Sequence, residues 1–329
     1  MTEMELVRGL VLRTLAAAAL MAVLAAPLSA AAQFPGKPVR IVVPFPGGSS
    51  TDTVTRILAN SVSQSVGQPL VVENKVGADG AIAASEVAKA SADGYTLLMA
   101  TNSPMSAVPA MKKVPPYDPV ADFTPITDVG RYTFFIVIHP GVPAQTLTEL
   151  IGYARANPGK LNYATGNTTG IVSAAFFASQ AQIKMVHVPY KGEPQAITDL
   201  VAGRVQLMFC SSSTSMPHIR EGKLRAVVTT LPKRSALLPE VPSIAEAGMP
   251  QFSITSWAGL FGPARMPREV VERLNREFGA AMARADVQAA MERQAFALSP
   301  SSPEQLAAFV KEQIESYRRI LEAAGVQPE

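Results

Sequence analysis

The sequence predicts an α/β protein built from two doubly wound sheets, and three observations carry that prediction. From Val39 onward, short β-branched or aliphatic runs alternate with segments of helical periodicity. The runs are almost continuously hydrophobic, as strands of parallel sheets covered on both faces are. The 297 residues that follow residue 32 suit about two domains of ~150 residues each.

Residues 39–45 (VRIVVPF), 70–72, 96–99, 134–138, 185–188, 205–209 and 226–229 read as buried strands. Between them lie helices. Val54, Ile57, Leu58 and Val62 share one face of a helix stopped by Gly67, and Leu147, Leu150, Ile151 and Ala154 share another before Asn157-Pro158-Gly159. Pro267 opens a helix carrying Val270, Val271, Leu274, Phe278 and Met282 on one side. Ser302 and Gln305 form a capping box around Pro303, starting a helix with Leu306, Phe309, Val310, Ile314, Tyr317 and Leu321 inward. No repeat or long linker separates the two expected domains, so short crossovers should join them.

The first 32 residues stand apart. Arg8 and Arg13 precede an apolar run over residues 15–26, closed by Pro27 and followed by Ser29-Ala30-Ala31-Ala32. A cationic start, a short apolar core and a small-residue exit predict a cleavable secretory signal over residues 1–32, cut at Ala32–Gln33, with the mature protein in the periplasm. The run is too short to cross a ~30 Å hydrocarbon core.

Composition excludes several classes. Lys+Arg 29 against Asp+Glu 26 gives a net charge of +3, and charged residues make up 17 %, below the roughly 25 % of soluble proteins. A nucleic-acid binder needs clustered cations, so no nucleic-acid partner is expected. The single cysteine, Cys210, rules out a disulfide framework and any multi-cysteine metal site; no metal and no cofactor are expected.

The informative residues follow the strands. Residues 39–45 lead into Gly47-Gly48-Ser49-Ser50-Thr51-Asp52, and 96–99 into Thr101-Asn102-Ser103. Residues 161–163 lead into Thr165-Gly166-Asn167-Thr168-Thr169-Gly170, and 205–209 into Ser211-Ser212-Ser213-Thr214-Ser215. In open α/β sheets such turns line the ligand crevice, and a helix starting there offers free N–H groups and a positive dipole end to an anion. The same residue types are also the preferred helix N-caps. The residues alone leave both readings open, although four such turns, two in each half of the chain and all short of Lys and Arg, favour a small anion or polar solute.

Enzyme signatures are missing: there is no G-x-S-x-G elbow, Walker A, H-E-x-x-H or spaced G-x-G-x-x-G. His139, His187 and His218 are dispersed, Cys210 ends an apolar strand, and Asp52 with Arg56 makes an i, i+4 pair on the first helix.

At this point the chain resembles the Bug proteins, extracytoplasmic receptors of tripartite tricarboxylate transporters. The resemblance rests on PVRIVVPFP at 38–46 with Gly47 to Asp52 behind it, then GQPLVVEN at 67–74, DGYTLL at 93–98 and NPGKLNY at 157–163. It continues in HVPYKG at 187–192, PHIREGKLRA at 217–226, PSIAEAG at 242–248 and Ser256-Trp257. The resemblance implies a type II periplasmic-binding-protein fold. Two α/β domains, 33–131 plus 256–329 and 132–255, would surround a cleft, with crossovers near residues 130–133 and 252–257. It also implies a non-catalytic receptor for a small organic carboxylate (a di- or tricarboxylate or an aromatic acid), acting as a monomer with integral-membrane transporter subunits as partners.

Carried over by position, the ligand residues are Gly48, Ser49, Ser50, Thr51 and Asp52 in the first turn, and Thr101 and Asn102 in the second. Gly166, Asn167, Thr168, Thr169 and Gly170 follow in the third, and Ser211 and Ser212 in the fourth. Two departures bear on the ligand. Ser49 stands where a glycine is usual, and Cys210 replaces an acidic or amide residue, which disfavours an amino acid. A periplasmic sensor and an exported hydrolase using Cys210 are the alternative readings.

Overall fold

A computed structural model describes residues 34–323 except 232, 253 and 255, so the signal-peptide expectation lies outside the described residues. The described residues from Lys37 onward form one contact unit, and every element below belongs to it. No helix among the described residues is long and apolar enough to cross a membrane.

The chain begins β1 (Val39–Val43), α1 (Ser50–Val66), β2 (Leu70–Asn74), α2 (Ala81–Ala88) and β3 (Thr96–Thr101). A π-helical stretch, Ser103–Ala107, runs into α3 (Val108–Met111), followed by β4 (Phe123–Tyr132) and β5 (Phe134–Ile138). Next come α4 (Leu147–Ala156), β6 (Asn162–Thr165), α5 (Thr168–Ala181), β7 (Val186–Pro189) and α6 (Glu193–Val201). Then follow β8 (Leu207–Ser211), α7 (Ser212–Arg220) and β9 (Arg225–Thr229). After a long connection come β10 (Trp257–Pro263), α8 (Arg268–Ala283), α9 (Ala285–Arg293), β11 (Phe296–Leu298) and α10 (Pro303–Ala323).

These strands make two sheets, ordered β11-β4-β10-β3-β1-β2 and β7-β6-β8-β5-β9. The chain passes from the first sheet to the second at Thr133, between β4 and β5, and returns between β9 and β10. The sheets are mixed, which departs from the all-parallel expectation. β10 runs antiparallel to β3 and β4, and β5 antiparallel to β8 and β9. Strands β4, β10 and β11 escape a reading by apolar runs, because Pro125, Asp128 and Gly130 interrupt β4 and Gly259, Gly262 and Pro263 interrupt β10. Residues 185–188, expected as a buried strand, form the exposed edge strand β7, with Val186 46 % exposed. An edge strand lacks a neighbour on one side, so its side chains have less to pack against.

Helix signals hold where they are local. Gly67 ends α1 in the left-handed conformation with its N–H on the Ser63 carbonyl. The Ser302–Gln305 capping box forms in both directions, at 2.9 and 3.2 Å. Its helix, α10, reaches across to the second sheet: Tyr317, Ile320 and Leu321 join a core with Ile136, Phe177 and Phe209.

Candidate ligand-binding cleft

The turns at the carboxyl ends of β1, β3, β6 and β8 meet around one cavity of about 400 Å³, its open mouth included. Ser49, Ser50 and Thr51 line it from the first turn, Thr101 and Asn102 from the second, Gly166, Asn167 and Thr169 from the third, and Ser211 from the fourth. Gly48, Asp52, Thr168, Gly170 and Ser212 lie beside these residues but not on the cavity wall.

Part of this polar set is spent on capping. Ser49 Oγ accepts the Asp52 N–H at 3.3 Å, and Asn167 Oδ1 accepts the Gly170 N–H at 2.9 Å, so both residues are N-caps. The N–H groups of Ser50 and Thr51, in the first turn of α1, have no carbonyl partner within the helix, and both residues line the cavity at the positive end of the dipole. Asp52 locks this turn from behind. Its carboxylate accepts from the Gly48 N–H at 3.0 Å, Arg56 Nε at 3.0 Å and Asn74 Nδ2 at 2.9 Å. Burial pushes the Asp52 carboxyl up, but these hydrogen bonds and the Arg56 charge outweigh it and hold the group below its ordinary value. Ser212 Oγ turns to the Gln294 carbonyl, and Thr168 Oγ1 is buried without a hydrogen-bond partner.

The two walls touch. Ser50 Oγ lies 2.5 Å from Ser211 Oγ and also meets Ser213 Oγ. Asn102 Nδ2 donates to Thr169 Oγ1 at 2.6 Å and to Tyr317 Oη, while Asn102 Oδ1 accepts the Trp257 N–H at 3.4 Å. Tyr132 Oη donates to Thr51 Oγ1 at 3.0 Å; burial raises its phenol well above the usual range, so it is a neutral donor. Gly192 permits the approach, and Gly166 lets the start of α6 pack against the third turn on the same wall. A Cβ on Gly166 would stand 2.3 Å from the Glu193 nitrogen, and one on Gly192 would stand 2.8 Å from Pro46 Cγ on the facing wall.

Several lining residues carry no polar turn signal: Phe45, Pro46, Tyr132, Phe134, Gly192, Glu193 and Ser256. Ser103, in the second turn, also lines the cavity. Tyr132, Phe134 and Ser256 flank the two passages between the sheets, and a strand-end aromatic looks like core in a sequence. Glu193 corrects the argument from Cys210. The cleft does carry a carboxylate, supplied by the start of α6 instead of the end of β8. It accepts from Ser211 Oγ at 2.5 Å, Thr214 Oγ1 at 2.8 Å, Asn167 Nδ2 at 3.2 Å and the Ser211 N–H at 3.3 Å. Burial raises its carboxyl above the ordinary value, only partly offset by these four hydrogen bonds. Among the described residues no lysine or arginine lines the cavity.

Cys210 is fully buried in β8, behind the wall. Burial first, then the Glu193 charge, drives its thiol well above the ordinary value, so it stays protonated and a poor nucleophile.

Residues 54–326 match the profile of the tripartite tricarboxylate transporter family receptors. Among solved structures, a Rhodopseudomonas palustris protein with adipate is 32 % identical, with TM-score 0.87 over 90 % of this chain and 100 % of its own. The periplasmic binding protein BugD is 32 % identical, with TM-score 0.85 over the same shares. MatC from Rhodopseudomonas palustris with bound malate is 30 % identical, with TM-score 0.83 over 88 % of this chain and 100 % of its own.

Proposed function

The chain belongs to the tripartite tricarboxylate transporter receptor family, with the periplasmic-binding-protein fold, and from that premise we propose that it captures a small organic carboxylate by closing its cleft, without catalysis. The observation that carries this reading is the convergence of four polar turns from both sheets on one cavity that no lysine or arginine lines among the described residues. Backbone N–H groups and hydroxyls at helix starts hold a carboxylate without cationic side chains. The ligand class is a di- or tricarboxylate or an aromatic acid. Adipate and malate in two relatives support it.

Residues 33–131 with 256–329 form one domain in this reading, and 132–255 the other, hinged where the chain changes sheets. Residues 1–32 act as an export signal cut at Ala32–Gln33, and the mature protein delivers its ligand to integral-membrane subunits in the periplasm. The cross-wall bonds of Ser50 and Asn102 belong to the closed form, which ligand contacts present only in that form would favour.

The test is a thermal-shift screen with organic acids. A ligand at 100 times its Kd should stabilise the protein by ~2.7 kcal/mol. A screen of mono-, di- and tricarboxylates and aromatic acids that leaves the melting temperature unmoved overturns the reading.

A further inference from the structure

Glu193 is more than a strut at the start of α6. It lines the cavity, yet among the groups acting on its carboxyl none is a lysine, arginine or histidine. A buried carboxylate without a counter-charge is costly and must be met by donors. Here its donors include Ser211, and that choice fixes the polarity of the cleft wall. A serine hydroxyl has one proton and two lone pairs. Glu193 Oε2, 2.5 Å from Ser211 Oγ, takes the proton. Ser211 can then offer only lone pairs to the cleft, and Ser50 Oγ at 2.5 Å and Thr214 Oγ1 at 3.0 Å stand beside them.

The cleft is therefore polar in two senses. The start of α1 presents donors, suited to a carboxylate. The Ser211–Glu193 wall presents acceptors, and a second carboxylate against it would meet lone pairs with lone pairs. We infer that the ligand is a carboxylate whose carbon skeleton also bears a hydrogen-bond donor, a hydroxyl or an ammonium, and that Glu193, acting through Ser211, selects it. The inference rests on the receptor reading above and names the ligand class within it. Glu193 is here a positioning residue, because it acts by orienting the Ser211 proton.

The experiment measures dissociation constants by calorimetry for matched acids that differ only in the donor. Succinate, malate and aspartate form one series, and glutarate, 2-hydroxyglutarate and glutamate a second. Benzoate, 3-hydroxybenzoate and 3-aminobenzoate form a third, whose aryl amine is an uncharged donor. In at least one series the donor-bearing acids should bind the wild-type protein about tenfold or more tightly than the unsubstituted acid. Whether the hydroxy or the amino member leads distinguishes the two donors.

Glu193→Leu removes both acceptor oxygens, which frees the Ser211 proton for the cleft; in Glu193→Gln an amide oxygen could still take it. The preference should then fall to within about threefold, chiefly because the unsubstituted acid binds better. Ser211→Ala removes the acceptor itself and should level the series too, so it decides the matter if Glu193→Leu fails to fold. Acids that bind the wild-type protein without preference for a donor overturn this inference and leave the receptor reading standing. A preference that survives in folded Glu193→Leu or in Ser211→Ala also overturns it. If no acid of any series binds, this inference falls, and the wider acid screen above decides the receptor reading.

Discussion

Ser50 and Ser211 are 161 residues apart in the chain, and their hydroxyl oxygens stand 2.5 Å from each other across the cleft. Each is the consequence of a strand ending in a polar turn: Ser50 opens α1 after β1, and Ser211 ends β8 before α7. One follows a strand of the six-stranded sheet and the other ends a strand of the five-stranded sheet, so the pair joins the two cavity walls.

Ser50→Leu should therefore remove ligand response. A leucine there has no donor and projects into the cavity, so an acid that raises the melting temperature of the wild-type protein should produce no shift in the variant. Parallel melts with and without the acid check this; an undiminished shift would move the site elsewhere.

Gly192→Ala separates closure from folding. Gly192 has an extended backbone (φ −180°, ψ 166°), which alanine adopts freely, but the added Cβ would press on Pro46 across the cleft. The expected outcome is a nearly unchanged melting temperature without ligand, a larger radius of gyration by solution scattering, and ligand affinity weakened about tenfold or more. A variant as compact and as tight-binding as the wild type would refute the steric argument.

Tyr317→Phe tests the brace behind the cleft. Tyr317 is buried on α10, and its hydroxyl accepts from Asn102 Nδ2, the same amide that reaches Thr169. Losing it leaves one buried N–H of Asn102 without that acceptor, at a cost of about 1–3 kcal/mol in urea unfolding. Burial also pushes the Tyr317 phenol up to about 12, so the effect should be constant from neutral pH to about pH 10.

Asp52 supplies the pH dependence. Its carboxyl lies below the ordinary value in the folded protein, because hydrogen bonds and the Arg56 charge outweigh burial. A depressed acid contributes stability that is complete above the unfolded value, near pH 4, and drains away as pH falls through the lower folded value. Asp52→Asn should cost about 1–2 kcal/mol at pH 7, and the gap to wild type should narrow below pH 4. Urea unfolding between pH 3 and pH 7 measures it; a gap that widens in acid would contradict the sign.

The sequence by itself determined what depends on neighbours a few residues away. The order of strands, turns and helices could be read there, as could the stop at Gly67, the Ser302–Gln305 box and the Asp52–Arg56 pair, because caps and i, i+4 contacts are local. Nine of the fourteen residues expected to bind ligand line the cavity for the same reason: polar turns after parallel strands point to one edge of a sheet.

Only the tertiary structure decided the rest. β10 pairs antiparallel between β3 and β4 after a connection of 27 residues from β9, and its Gly- and Pro-rich sequence gives no sign of that partnership. Glu193 looks like an ordinary first-turn acid on α6 until packing sets it against Ser211, 18 residues on. Burial then makes the hydroxyl between them an acceptor toward the cleft. Which atom of a turn donates and which accepts depends on the groups that packing brings within 3 Å, and local sequence does not encode that distance.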